Sequence, residues 1–207
     1  KVNLKKSDFV AGRLIDTYLF GDKHPYGKYS KAEDFEALQR DPLLAYYKQY
    51  YQQGKLMLFV AGKIPAGLQA SLNKAFGDLP NHANGMPEQK IQPATERKYR
   101  ITNDAEGVQG SIRIARDFPN RHHPDFMKAM VLNCVFGGFF GSRLMSNIRE
   151  DKGYTYGIHS YLLNHLQHSG WMISTEAGKD VCEATVAEVY KEMRDLREEP
   201  VDEEELQ

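Results

Sequence analysis

The chain has 207 residues, of which 41% are apolar, 11% aromatic and 27% charged. That length accommodates one large domain or two small ones, with a core that needs no disulfides or structural metal, and so apolar a chain is not intrinsically disordered. The net charge of −1, from 27 basic and 28 acidic residues, argues against nucleic-acid binding, which needs clustered positive charge, and no apolar run approaches the roughly 18 residues of a membrane span.

The elements follow in chain order. Phe9, Val10, Leu14, Ile15 and Tyr18 fall near helical spacing and predict a helix over 7–20. A loop with His24-Pro25-Tyr26-Gly27 comes next. Ser30 and Glu33 have capping-box spacing and open a short helix. Asp41-Pro42 starts another, running to about Tyr51, whose tyrosines 46, 47, 50 and 51 form i,i+4 pairs expected to pack on a core. The continuous apolar run over 55–62 suits a strand buried on both faces. Pro65 begins a helix with Leu68, Leu72, Ala75 and Phe76 on one face. Residues 81–96, rich in Asn, Pro and Gln, read as a linker.

Beyond the linker, 97–102 and 108–116 read as strands. The second alternates, with Ile112 and Ile114 on one face and Ser111 and Arg113 on the other. His123-Pro124 opens an apolar helix to about Phe136, and a glycine-rich turn over 137–141 leads to a helix over 142–151 closed by Gly153. Strands over 154–162 and 170–177 flank a turn. Asp180 is read as the cap of a last helix with Cys182, Val186, Val189, Tyr190, Met193 and Leu196 on one stripe. Helices and strands mix without strict alternation, so the expected class is α+β, mainly antiparallel. Cys134 and Cys182 make no disulfide framework and read as buried small hydrophobes.

Most chemistries find little support. Of the seven histidines (24, 82, 122, 123, 159, 165 and 168) none lies in H-E-x-x-H or H-x-x-E-H. His165-x-x-His168 with His159 has the best metal-ligand spacing, but it sits on a turn without a neighbouring Cys or carboxylate, and surface histidines are the expectation. The glycines of 137–141 precede a helix, as an anion site would, yet follow a helix where a phosphate loop follows a strand, and the Lys-Ser/Thr pair is absent. Ser111, Ser142, Ser160 and Ser169 lack a nucleophile-elbow context, and neither cysteine stands in an activating one. Arg149 and Tyr156 are different. A reversal at Gly153 can bring them together, where they could donate hydrogen bonds to a peptide carbonyl or a developing oxyanion. Arg149 could equally serve the helix dipole, and Tyr154, Tyr156 and Ile158 could form one core face.

The stretch Gly137-Gly-Phe-Phe-Gly-Ser-Arg-Leu-Met-Ser-Asn-Ile-Arg-Glu-Asp-Lys-Gly-Tyr-Thr-Tyr-Gly157 resembles a signature of the insulinase/pitrilysin/processing-peptidase family of zinc metallopeptidases. His24-Pro-Tyr-Gly27, Tyr46-Tyr-Lys-Gln-Tyr-Tyr51, 56–62 and Ala75-Phe-Gly-Asp-Leu-Pro80 resemble a second block in the family order. The resemblance implies two homologous α+β roll domains closing around a peptide. It implies that residues 1–80 are the rear of the first domain, 81–96 the linker and 97–207 the front of the second. It makes Arg149 and Tyr156 the catalytic, substrate-binding pair that holds the scissile-region carbonyl and steadies the tetrahedral intermediate.

H-x-x-E-H would lie before Lys1, so this segment has no metal ligands to name. Zinc would be held by the full-length enzyme or a partner chain, and the segment alone is expected to be an inactive piece of a longer protein. The expected function is thus the C-terminal, Arg/Tyr-bearing region of a zinc endopeptidase acting on peptides. The alternative is a metal-free subunit or peptide-binding module, gripping extended peptides through a strand edge such as 108–116; nucleotide binding is a distant third. The acidic run after Pro200 reads as the first turn of a further helix.

Overall fold

The computed structural model describes residues 2–80, 89–203 and 205–206, so His82 and 81–88 of the expected linker lie outside the described residues. Packing sorts the described chain into two units, 2–29 with 89–206 and 30–80.

The larger unit is built on three antiparallel strands in the order β1-β3-β2. These are β1 (Gln109–Asp117), β2 (Thr155–Asn164) and β3 (Ser169–Gly178). The β2–β3 hairpin closes at the Asn164–Ser169 pair, and β3 is central because β1 pairs with its other edge. As the alternation predicts, β1 has two distinct faces. Ile114 packs toward the core, whereas Arg113 turns to the opposite face and pairs with Asp8 and Glu176. Asp8 belongs to helix α1 (Ser7–Phe20), which therefore lies against that face of β1.

The core lies on the other face. Phe136, Leu144, Met145, Ile148, Ile158, Ile173 and Val189 form one buried cluster, flanked by Ile114, Tyr154, Trp171, Met193 and Leu196. Val189, Met193 and Leu196 come from the last helix (Cys182–Glu198), on the stripe that its periodicity marks. That helix is capped at Val181 rather than Asp180. Its stripe is also narrower than expected: Tyr190 is exposed, and Thr185 is buried with its hydroxyl donating to the Val181 carbonyl at 2.9 Å. Neither cysteine is fully buried, and Cys134 is exposed. It opens a π-wound turn, Cys134–Gly138, that continues the helix Phe126–Asn133, and the buried positions of that turn are Val135, Phe136 and Gly137.

The smaller unit has helices Ala32–Glu36, Arg40–Tyr46 and Leu68–Phe76. The expected Ser30/Glu33 box is shifted by one residue: Lys31 N–H donates to the Asp34 carboxylate at 2.8 Å. The tyrosines pair as expected, with ring centroids 4.5 Å apart for Tyr46 and Tyr50 and 5.7 Å for Tyr47 and Tyr51, but all four are exposed rather than packed on a core. The largest departure is at 55–62. This apolar run forms no strand among the described residues, and Phe59 is 89% exposed. A strand requires a ladder partner for its N–H and C=O groups, and the described residues of this unit offer no sheet. Residues 97–102 likewise form no strand; Tyr99 instead stacks on Tyr18 with centroids 3.8 Å apart.

Candidate functional site

The site grows from the π-wound segment Met145–Asp151, which follows the glycine-rich turn. Met145 and Ile148 point into the core and fix its rotation, leaving the neighbouring Arg149 on the rim. Asn147 anchors the outer side through its amide, which donates to Glu188 at 3.0 Å and Glu192 at 2.6 Å on the last helix. Burial pushes the Glu192 carboxyl up, with the Asn147 bond opposing. The segment ends as a wide helix should: Lys152 N–H bonds the Asn147 carbonyl at 3.0 Å, and Tyr154 N–H the Ile148 carbonyl at 3.1 Å. Between them Gly153 has φ = 64°, the left-handed conformation that ends helices and that side chains disfavour.

Beyond Gly153 the chain enters β2 through a bulge. Thr155 pairs with Ala177 and Ile158 with Thr175, so β2 spends three steps where β3 spends two. The extra residue breaks the alternation that would set Tyr154, Tyr156 and Ile158 on one face. Tyr154 and Ile158 pack into or against the core, while Tyr156 is turned out and is 92% exposed. Hydroxyls support the irregular backbone. Thr155 Oγ1 accepts from Gly157 N–H at 3.1 Å and lies 2.6 Å from the Glu176 carbonyl, and Thr175 Oγ1 reaches the Gly157 carbonyl at 2.8 Å.

Arg149 closes the arrangement. Its Nε donates to the backbone carbonyl of Tyr156, seven residues on, at 3.2 Å. Its Nη1 donates to Glu150 at 3.3 Å, and its guanidinium carbon stands 4.5 Å from the ring centroid of Phe140. The two expected residues therefore meet through a main-chain carbonyl. Nη2 takes part in no hydrogen bond among the described residues, which leaves a planar cation with donors to spend next to the backbone of an exposed tyrosine. Sequence reading missed three contributors: Phe140, Thr155 and Thr175. A glycine inside a strand pattern is a bulge signal, so Gly157 was the available clue to the threonines.

Of the other candidates, Gly137 and the turn histidines take part in packing, and His159 is exposed. A Cβ on Gly137 would stand 2.7 Å from Ser160 Oγ and 2.8 Å from Leu144 Cδ1, so the glycine is there for close approach. His165 stacks on Tyr26 with centroids 4.1 Å apart, and His168 lies 5.2 Å from His24, which is buried. His159 stands on β2 opposite Ser174. Among the described residues no group of three His, Cys, Asp or Glu is arranged to hold a metal ion. Nor, among them, is any helix long and apolar enough to cross a membrane.

With that geometry in place, comparison with known proteins is informative. The family described as Peptidase M16 inactive domain matches residues 37–207. The chain belongs to this family. Curated relatives agree: it is 29% identical over 129 residues to the uncharacterized zinc protease YmxG of Bacillus subtilis, covering 62% of this chain and 31% of that protein. It is 28% identical over 123 residues to the probable mitochondrial-processing peptidase subunit beta of Schizosaccharomyces pombe, covering 56% and 27%. The chain thus spans about a third of the length of the curated relatives that it matches. Among solved structures, the peptidase M16 inactive domain of Pseudomonas fluorescens superposes with a TM-score of 0.73 at 21% identity, over 97% of this chain and 49% of that one. The fold is therefore the α+β fold of M16 inactive domains, and the chain is part of the insulinase-like zinc-peptidase family.

Proposed function

We propose that this chain is the substrate-binding, C-terminal region of a zinc-dependent endopeptidase, with Arg149 and Tyr156 gripping the peptide at the scissile bond. The observation that carries this reading is the bulge. It turns a tyrosine out of a core face and sets it beside an arginine whose guanidinium is oriented by three contacts yet keeps Nη2 unspent. Such donors suit a peptide carbonyl and, more strongly, the oxyanion that forms from it. Zinc held by an H-x-x-E-H segment outside this chain, upstream or on a partner subunit, would supply Lewis acidity and an activated water.

The division into 1–80 as the rear of one roll domain, 81–96 as linker and 97–207 as the front of the next is part of the same reading. It is supported by the apolar run at 57–61, which lies exposed and without a ladder among the described residues, as a strand would when the rest of its sheet is elsewhere. The segment alone is then inactive. A second reading, a metal-free subunit, is favoured by one relative: the chain is 25% identical over 150 residues to a Bacillus subtilis protein described as a probable inactive metalloprotease, covering 70% of this chain and 34% of that one.

The test is Tyr156→Phe in the assembled peptidase, with the zinc-bearing half present. The phenol serves the transition state more than the ground state, so kcat should fall on the order of 10²–10³-fold with KM little changed. Unchanged kinetics would make Tyr156 a bystander.

A further inference from the structure

Arg149 sits on the rim of the fold, and a long side chain there spends much of its time away from any one geometry unless something holds it. Its Nε bond and the Glu150 contact fix two edges of the guanidinium plane. Neither fixes the face. The guanidinium carbon lies over the Phe140 ring, 4.5 Å from its centroid, within the range of cation–π attraction. Phe140 is itself 61% exposed, so packing into a core does not explain its place. It is presented by the tight turn Phe139–Gly141, where Ser142 N–H bonds the Phe139 carbonyl at 3.2 Å and a Cβ on Gly141 would stand 2.8 Å from the Phe139 ring.

We infer that Phe140 is a positioning residue of the peptide-binding site: its ring holds the Arg149 guanidinium flat against the glycine-rich turn, so that Nη2 faces the substrate carbonyl. This deepens the role proposed for Arg149 and rests on it. A leucine of similar bulk would preserve the apolar contact and lose the ring quadrupole, whereas tyrosine or tryptophan would keep it.

The experiment is a double-mutant cycle in the assembled peptidase, with kcat/KM for a peptide as the readout. Phe140→Leu should lower kcat/KM roughly two- to five-fold, the effect of an exposed cation–π contact. Phe140→Tyr and Phe140→Trp should retain the wild-type value. On an Arg149→Ala background, Phe140→Leu should cost nothing further, because the residue that it positions is gone. Wild-type kinetics for Phe140→Leu, an equal loss in Phe140→Tyr, or the same loss on the Arg149→Ala background would each overturn the inference. If Arg149→Ala lowers activity while Phe140→Leu does not, only the positioning role falls. If Arg149→Ala itself changes nothing, the substrate-binding reading of the pair falls with it.

Discussion

At the residue scale, Thr155 and Thr175 show how a site can depend on side chains that never face it. Their hydroxyls satisfy the Gly157 N–H and C=O, which the bulge removes from the regular ladder. Thr155→Val keeps the shape and strips the hydroxyl, leaving partly buried backbone groups unpaired. We expect a loss of about 1–3 kcal/mol in unfolding free energy by denaturant titration, together with lower activity in the assembled peptidase, since Tyr156 stands on that backbone. Arg149 and Tyr156 could be put forward as candidates from the sequence because the motif that resembles the family signature is a local property. Thr155 could not, because its value comes from Glu176 and Thr175 on another strand.

At the element scale, helix existence was legible and helix winding was not. The Ser7–Phe20 helix and the two hairpin strands follow from periodicity. The π-wound character of Met145–Asp151 does not, since a wider turn is chosen by what its side chains must reach: Ile148 in the core and Asn147 on the last helix. Gly153 makes the exit possible. Nothing lies within 4 Å of a Cβ placed there, so Gly153→Ala carries only the backbone cost of φ = 64°. Thermal and denaturant unfolding should show a loss of about 1–2 kcal/mol, and Gly153→Asn should lose less. The helix start expected after Pro200 forms only turns among the described residues, closed by a reciprocal pair of bonds, Glu205 N–H to Asp202 Oδ1 at 2.9 Å and Asp202 N–H to Glu205 Oε2 at 3.3 Å. Arg143 meets the same carboxylate with both arms, at 2.6 and 2.7 Å, and holds it below the usual carboxylate range.

At the scale of the whole molecule, two predictions concern parts that no single element determines. His24 is buried among Phe20, Tyr26, His165 and His168, with Asp16 near His165. Burial first, and His168 second, lower its pKa from the ordinary 6.5. The unfolded chain then binds the proton more readily than the folded one, so stability is full above pH 6.5 and is lost as pH falls below it. The melting temperature should be level from about pH 8 to 7 and decline through pH 6, and His24→Gln should flatten that decline. The second prediction concerns 57–61. Amide hydrogen exchange there should be fast in this chain and slow once the zinc-bearing half is joined, because only a ladder protects such amides. Fast exchange in the assembled peptidase would refute the idea that this run is a strand awaiting its sheet.

By itself the sequence determined the α+β class, the order of most elements, and, through the motif over 137–157, the family. These are carried by periodicity, glycine positions and spacing, all of them short-range. Tertiary structure alone decided that Tyr156 leaves the core face, that Phe140 covers Arg149, and that 55–62 forms no strand among the described residues. Each of these turns on a partner distant in the chain or across a turn. A bulge exists only against the strand that it mismatches, a guanidinium is held only by a ring that the fold delivers, and an apolar run becomes a strand only where a ladder waits to receive it.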